Sequence, residues 1–366
     1  MKKILFLSNM YPSEENPSYG IFVKKTYEWL AETHDVTLVK ISKKYNILQK
    51  IQSYIDFYMK AILLGIFRQY DCIYAHFISH CSFPVNVIKM FKKDIIIIGN
   101  IHGEDVFSSY KKYKKNRRRA ETFLENSNFI VAPSEYFKNR LSKEYNYEKN
   151  KIYVSPSGGI NTEIFKENSC MKCREEIGLE TDKKYIGYVS RIEEGKGWDI
   201  FLTAFKNIMH IDENLRAIIV GEGSQFGELE NKAKELRIFD KIVFFPLLSH
   251  EKLASVYASM DIFCFASRIK AESLGLVGLE AMACGIPSII TNCEGPLSYA
   301  ENEYNCLTFN PEDANELSRK MEQMLKMDWH QIENIKVNAR NTVNEYDSVH
   351  VKEEFMKFFN NILKCD

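Results

Sequence analysis

Residues 156–165 read PSGGINTEIF, and the chain shows the same pattern on both sides of them. Before them lie the short apolar runs KILFLS (3–8), DVTLVKI (35–41), CIYAHF (72–77), IIIIGN (95–100), NFIVAP (128–133) and KIYVSP (151–156). After them the pattern restarts with KYIGYVS (184–190), RAIIVGEG (216–223), KIVFFP (241–246), DIFCFAS (261–267) and PSIITN (287–292). Near-continuous apolar runs of this length, with helical periodicity between most of them, predict parallel strands buried on both faces. Alternation of strand and helix predicts a doubly wound α/β sheet. A restart in mid-chain predicts two Rossmann-like domains in place of one large sheet. The expected division is 1–165, 166–348, and a last amphipathic helix over 349–366 that packs back on the first domain. Phe355, Phe358, Phe359 and Leu363 would form its buried side.

Composition bounds the function. The 366 residues exceed what one hydrophobic core usually serves. Forty-nine Lys and Arg balance 49 Asp and Glu, so the overall charge makes no case for nucleic-acid binding. The nine cysteines form no framework. Cys170 and Cys173 make one C-x-x-C, with no second pair or spaced histidines to complete a zinc site. Unpaired thiols suit a reducing cytoplasm. At the N-terminus the apolar run is only ILFL, which reads as a first strand and not as a signal peptide. No stretch has the length of a membrane-spanning helix.

Two parts of the first half are not needed to build a core. KKYNILQKIQSYIDFYMKAILLGIFRQY (43–70) is a long helical pattern with a broad apolar body and cations at its start. KKYKKNRRR (111–119) is a dense basic run. The ordinary reading is a core helix and a solvated charged face. The alternative is a basic surface that attracts an anionic acceptor or an anionic leaflet.

Three segments could carry chemistry. VGEGSQFG (220–227) spaces its glycines G-x-G-x-x-x-G, one residue too long for the dinucleotide fingerprint. Asp240 lies about where that motif's ribose-binding acid would fall. The segment reads better as a strand-to-helix turn near a ligand cleft. In VSRIEEGKGWDIFLTAF (189–205), Arg191 and Lys196 follow a buried strand, where ligands bind in open α/β sheets. Both could reach a diphosphate, Arg191 by fork geometry and Lys196 as a point charge.

KAESLGLVGLEAMAC (270–284) keeps two acids, Glu272 and Glu280, in apolar surroundings. A helix starting at Ser273 to Gly275 would offer the N–H groups of its first turn, through Ser273, Leu274, Gly275, Leu276 and Val277, to an anion. Carboxylates accept from hydroxyls, so one acid would take the hexose and the other the ribose of a nucleoside diphosphate sugar. The plain alternative makes Glu272 a helix-start acid and Glu280 an exposed helical residue. His76 and His80 form H-x-x-x-H, but the segment starts as a strand and no acidic partner suits a zinc site.

ESLGLVGLE (272–280) followed by AMACGIP resembles the E-x7-E signature of family 4 glycosyltransferases, retaining enzymes of the GT-B fold. YPSEENPSYGIFV (11–23) resembles their first glycine loop, IHGEDV (101–106) their acceptor-side histidine segment, and SPSGGINTEIF (155–165) their interdomain segment. SRIEEGKG (190–197) resembles their diphosphate-holding segment, and IIVGEG (218–223) the strand after it. The resemblance implies an acceptor-binding first domain and a nucleotide-sugar-binding second domain facing across a cleft.

By matching position it implies that Glu272 contacts the transferred sugar and Glu280 the ribose. Arg191 and Lys196 would neutralise the diphosphate, assisted by backbone at Gly275 and Leu276. Gly20 would let the first loop approach the phosphates. His102 would lie near the anomeric carbon or the acceptor, with Asp105 orienting its loop and His76 on the acceptor side. Ser134 and Arg140 would be structural. Two departures bear on the sugar pocket: the first loop has Gly20 alone, and CEGP (293–296) stands where two glycines are common.

The expected reaction moves a sugar from a UDP- or GDP-linked donor to a hydroxyl with retention, in bacterial surface polysaccharide or glycolipid synthesis. No D-x-D motif stands where a metal-bridged diphosphate needs one, so neither metal nor cofactor is expected. The protein is expected in the cytoplasm, in peripheral contact with the inner face of the plasma membrane. A non-catalytic GT-B scaffold and a nucleotide-dependent oxidoreductase are the competing classes.

Overall fold

The computed structural model describes residues 1–16, 19–107, 114–270 and 272–364, with side chains from 116 in the third stretch of sequence and to 363 at the end. The chain forms two compact units, one of residues 1–158 with the C-terminal helix from 350, the other of 159–349. Among the described residues no helix is long and apolar enough to cross a membrane.

The first unit begins with β1 (Lys3–Ser8), α1 (Ile21–Ala31), β2 (Asp35–Lys40), α2 (Ile47–Phe67), β3 (Cys72–His76) and α3 (Ile78–Phe91). It continues with β4 (Ile96–Asn100), α4 (Glu104–Phe107), α5 (Lys114–Asn126), β5 (Phe129–Ala132), α6 (Glu135–Tyr145) and β6 (Ile152–Val154). Its strands pair in parallel in the order β2-β1-β3-β4-β5-β6. Leu5, Leu7, Ile73 and Ala75 point to one face, under Phe57 and Ala61 of α2, Val85 of α3 and Phe123 of α5. Ile4, Phe6, Cys72 and Tyr74 point to the other, where α1 packs through Val23, Trp29 and Leu30. This alternation along β1 and β3 is why both strands read as unbroken apolar runs.

The second unit holds α7 (Cys170–Glu176), β7 (Lys184–Val189), α8 (Trp198–Ile208), β8 (Leu215–Val220), α9 (Phe226–Glu235) and β9 (Ile242–Phe245). Then come α10 (His250–Ala258), β10 (Ile262–Phe265), α11 (Leu276–Ala283), β11 (Ser288–Thr291), β12 (Leu307–Phe309), α12 (Ala314–Lys326) and α13 (Trp329–Asn344). Its sheet is also parallel, in the order β12-β11-β10-β7-β8-β9. Among the described residues twelve strands replace the eleven read from the sequence. The missed one, β12, has only three residues.

The final helix, α14 (Ser348–Lys364), buries Val351, Phe355, Phe359 and Leu363 against Phe6 and Tyr74 of the first unit. Each such side chain contributes roughly 1.5–3 kcal/mol of transfer free energy. Phe358 stacks on Tyr153 of β6 at a ring-centroid distance of 4.1 Å.

The division falls at 158/159, seven residues before the 165/166 expected. Ile160 N donates to Tyr346 O at 2.9 Å, Ser348 N donates to Ile160 O at 2.7 Å, and Phe165 is buried beside Tyr257. Residues 159–165 therefore belong to the second core.

Candidate active site

In open parallel sheets a ligand crevice forms where the strand order reverses, outside the carboxyl ends of the strands. In the second sheet that point lies between β7 and β10. The loops leaving those two strands carry Arg191, Lys196, Ser267 and Glu272. Lys196 Nζ donates to Glu272 Oε2 at 2.7 Å, and Ser267 Oγ donates to the same oxygen at 2.7 Å. Both ionic side chains are largely buried, 11% and 13% exposed. Burial alone would raise the Glu272 pKa. The charge and hydrogen bond of Lys196, the Ser267 hydroxyl and the nearby Arg191 charge outweigh it and hold the carboxyl below its ordinary value. Arg191 is exposed and lies 2.8 Å from Glu193.

Backbone packing fixes these loops. Gly197, at φ +79°, would put a Cβ 1.8 Å from Ala266 O, so only glycine lets the β7 loop meet the β10 loop there. VGEGSQFG serves the same end. A Cβ on Gly221 would lie 1.9 Å from Ser190 O and one on Gly223 2.2 Å from Ile192 O, while Gly227 meets nothing within 4 Å. Two of the three glycines thus press the β8 loop against the Arg191 loop. Asp240 sits in a 3-10 turn ahead of β9, at the wrong end of the sheet for a ribose.

Helix α11 starts at Leu276, with Gly275 as its N-cap at φ +76°. Glu272 therefore precedes the helix and lies in the loop, and the helix begins one to three residues later than the Ser273 to Gly275 expected. Gly278 N bonds to Gly275 O at 3.0 Å, leaving the N–H groups of Leu276 and Val277 at the open end of the first turn. Leu274 is buried in the core and anchors the entry. Tyr299 Oη caps Gly275 O at 2.9 Å. Glu280, in the second turn, accepts from Tyr257 Oη of α10 at 3.1 Å. In CEGP, Gly295 lies against the Glu272 and Ser273 carbonyls, where a Cβ would stand 2.2 Å and 2.5 Å from their oxygens. The single glycine that remains there is the one needed to support Glu272.

In the first sheet the order reverses between β1 and β3. His76 ends β3, and His102 follows β4. His76 Nδ1 and His102 Nε2 are 2.9 Å apart, sharing one proton in a hydrogen bond. Burial lowers both pKa values, His76 well below the usual value and His102 to about 3, so both rings are neutral near pH 7. His76 Nε2 is buried and has no hydrogen-bond partner among the described residues. An orphaned acceptor costs less than an orphaned N–H. The better arrangement has His76 Nδ1–H donating to His102 Nε2, which places the His102 proton on Nδ1.

Asp105 is buried and accepts from His102 N at 2.9 Å and Ile78 N at 3.1 Å, tying the His102 loop to the start of α3. Burial lifts its pKa to about 7 against those bonds. Gly20, at φ +81°, N-caps α1 and packs on Met10 of the same loop. His76 and His80 do not share a helical face. His80 lies on α3 and meets Tyr54 Oη through Nδ1 at 3.1 Å.

Ser134 caps α6 by accepting from Phe137 N at 3.3 Å, and Arg140 lies over the Phe107 ring. The eight described cysteines are free thiols. Of the basic run, 111–113 lie outside the described residues, and the rest opens α5 with Arg117, Arg118 and Arg119 exposed. Three partners escaped sequence reasoning: Ser267, Tyr257 and the His76–His102 bond. For Ser267 the signal was a hydroxyl at the end of a buried strand, facing a cleft.

Comparison with known proteins gives consistent results. The profile described as Glycosyl transferases group 1 matches residues 172–342, and that described as Glycosyltransferase Family 4 matches residues 22–163. A D-inositol 3-phosphate glycosyltransferase of Segniliparus rotundus is 31% identical over 39% of this chain and 32% of its own length. The chain thus matches about a third of that relative. Among solved structures, sucrose-phosphate synthase from Thermosynechococcus elongatus superposes with a TM-score of 0.79 over the full length of both chains, at 18% identity. Anabaena HepE, solved with UDP, superposes at 0.77 over 98% of this chain and 100% of its own, at 17% identity. These likenesses show the GT-B fold.

Proposed function

The chain belongs to the family 4, group 1 glycosyltransferases, and from that premise we propose that it transfers a sugar from a UDP- or GDP-linked donor to a hydroxyl acceptor with retention of configuration. The observation that carries this reading is the Lys196–Glu272–Ser267 cluster at the switch point of the second sheet. It joins a cation for phosphate to an ionised carboxylate for hydroxyls, beside the open first turn of α11. HepE, whose fold is similar, was solved with UDP, which supports a nucleotide-linked donor.

In the resting protein Lys196 and Glu272 satisfy each other. A donor would separate their tasks, with phosphate oxygens on Lys196, Arg191 and the N–H groups of Leu276 and Val277, and a sugar hydroxyl on Glu272. Ser273, Leu274 and Gly275 shape the turn, and Glu280, braced by Tyr257, takes the ribose. As the bond from the anomeric carbon to the phosphate oxygen breaks, charge builds on the leaving diphosphate. Fixed donors there lower the barrier by several kcal/mol or so. The acceptor oxygen bonds to the same face of that carbon, and its proton passes to the departing phosphate oxygen. This assignment of charge to side chains and backbone leaves no step that calls for a metal.

On the first unit His102 would offer Nδ1–H to the substrate, with His76 and Asp105 as positioning residues and Gly20 letting the β1 loop come close. The acceptor is a saccharide or a lipid-linked saccharide of bacterial surface polysaccharide or glycolipid synthesis, met in the cytoplasm. Incubation with a panel of sugar nucleotides tests the reading: slow release of one nucleoside diphosphate and thermal stabilisation by the matching donor are expected. Stabilisation by NAD and by no sugar nucleotide would overturn it.

A further inference from the structure

Helix α2 buries Phe57, Ala61 and Gly65 on one side. Its other side is apolar as well, and exposed. Ile51, Ile55, Met59, Leu63 and Phe67 follow one another at four-residue spacing, 48–78% exposed, with Ile47 and Leu48 at the start. Helix α3 packs beside α2, and the Lys92 ammonium at its end bonds to Arg68 O just past α2, bringing exposed Met90 and Phe91 near Phe67. Contiguous exposed apolar surface of this kind marks an interaction site.

Charge says what covers it. The chain is neutral as a whole, but its two units are not. The first holds 28 Lys and Arg against 18 Asp and Glu, and the second 21 against 31. Lys43, Lys44, Lys50, Lys60, Arg68, Lys92 and Lys93 flank these residues along the chain, all exposed but half-buried Lys92. Asp56 is the single acid within α2, and Gln52 donates to it at 2.8 Å. Face-to-face pairing of two copies would bring these cations together, whereas an anionic surface would be attracted to them.

We infer that this face of the first unit docks on an anionic lipid bilayer, with α2 lying in the plane of the headgroups, its stripe toward the acyl chains and the lysines on the phosphates. At 21 residues and with a polar rim, α2 lies on the membrane and does not cross it. The same helix lies beside the substrate end of the first sheet, because Asn9 of the β1 loop donates to Tyr54 of α2 at 3.2 Å. Docking would thus bring the His102 edge next to the lipid surface, where a lipid-linked acceptor is presented. The inference goes beyond the transfer reaction and does not depend on it.

The full chain should co-sediment with phosphatidylcholine vesicles containing phosphatidylglycerol at least about tenfold more than with phosphatidylcholine alone, and should come off as salt rises. Ile55→Glu, Met59→Glu and Leu63→Glu together should abolish binding. Those positions are exposed, so the thermal midpoint should stay unchanged. Leu247→Glu, at an exposed apolar site of the second unit, should leave binding intact. Failure to bind anionic vesicles, or equal binding to both kinds, would overturn the inference. So would a dimer in sedimentation velocity that the triple variant dissolves, which would assign the face to a second copy. Loss of donor turnover in all preparations would instead count against the transferase reading and leave docking standing.

Discussion

The two units share a parallel six-stranded sheet with a crevice where the strand order reverses, yet they manage polarity at that crevice in opposite ways. The second keeps its charges and pairs them, Lys196 with Glu272. The first removes charge by burial, which holds His76 and His102 neutral and lifts the Asp105 pKa to about 7. Phosphate chemistry needs charge that stays on, and fine placement of a hydroxyl needs a neutral donor of fixed tautomer. Under the proposed transfer one architecture would supply both by changing what surrounds the same edge.

The largest effect that would break this comparison belongs to Glu272. Glu272→Ala should cut transfer on the order of a thousandfold while nucleotide binding, read by thermal shift, stays largely intact. Surviving turnover would remove the carboxylate from its assigned role. His102→Ala should cost transfer on the order of a hundredfold, and His76→Ala less, with donor affinity unchanged in both. If donor affinity fell instead, the neutral pair would belong to the donor side.

Removing one partner of the second unit's ion pair is predicted to be a stability event as well. Lys196→Met leaves a largely buried carboxylate alone and should cost about 3 kcal/mol by chemical denaturation. Adding Glu272→Gln should recover most of that without restoring activity. Additive losses would mean that the pair is not coupled.

Acid should act on the two units over different pH ranges. Burial lowers the His80 pKa to about 4 and the His102 pKa to about 3, below the unfolded value near 6.5. In that window the unfolded chain binds more protons, so stability falls as pH drops from about 6.5 toward 4. Asp105 works the other way between about 7 and its unfolded value, because its folded form takes up the proton first. Glu272, with a lowered folded pKa, contributes stability above its unfolded value and loses it only as pH falls through the folded one. His80→Gln should therefore flatten the decline between pH 6.5 and 4 in thermal melts, and Glu272→Gln should not.

The smallest contrast lies within one octapeptide. Gly221→Ala, with its Cβ 1.9 Å from Ser190 O at φ +140°, should destabilise by about 1–3 kcal/mol. Gly227→Ala, inside α9 with nothing within 4 Å, should stabilise by up to about 1 kcal/mol.

Much of this was legible in the sequence because buried parallel strands are apolar throughout and end in loops that must carry the polar groups. That is why Arg191, Lys196 and Glu272 could be picked out beside their strands. β12 escaped because three residues give no periodicity. The boundary slipped by seven residues because Ile160 and Phe165 announce burial but not which core receives them. Ser267 and the His76–His102 bond escaped for a related reason: a hydroxyl or an imidazole gains its role from a neighbour far away in the chain, and spacing cannot show that neighbour.

The placement of α14 has a consequence for how the protein is made. The first unit's core is closed by Phe355 and Phe359, which leave the ribosome only after the whole second unit. Until then Phe6 and Tyr74 lack their cover. The second unit, contiguous from 159 to 349, can finish folding while the first waits as an incomplete, sticky intermediate. Nascent chains arrested before residue 350 should accordingly be protected from protease in the later-made half and cut in the earlier-made one, the reverse of the usual order of synthesis.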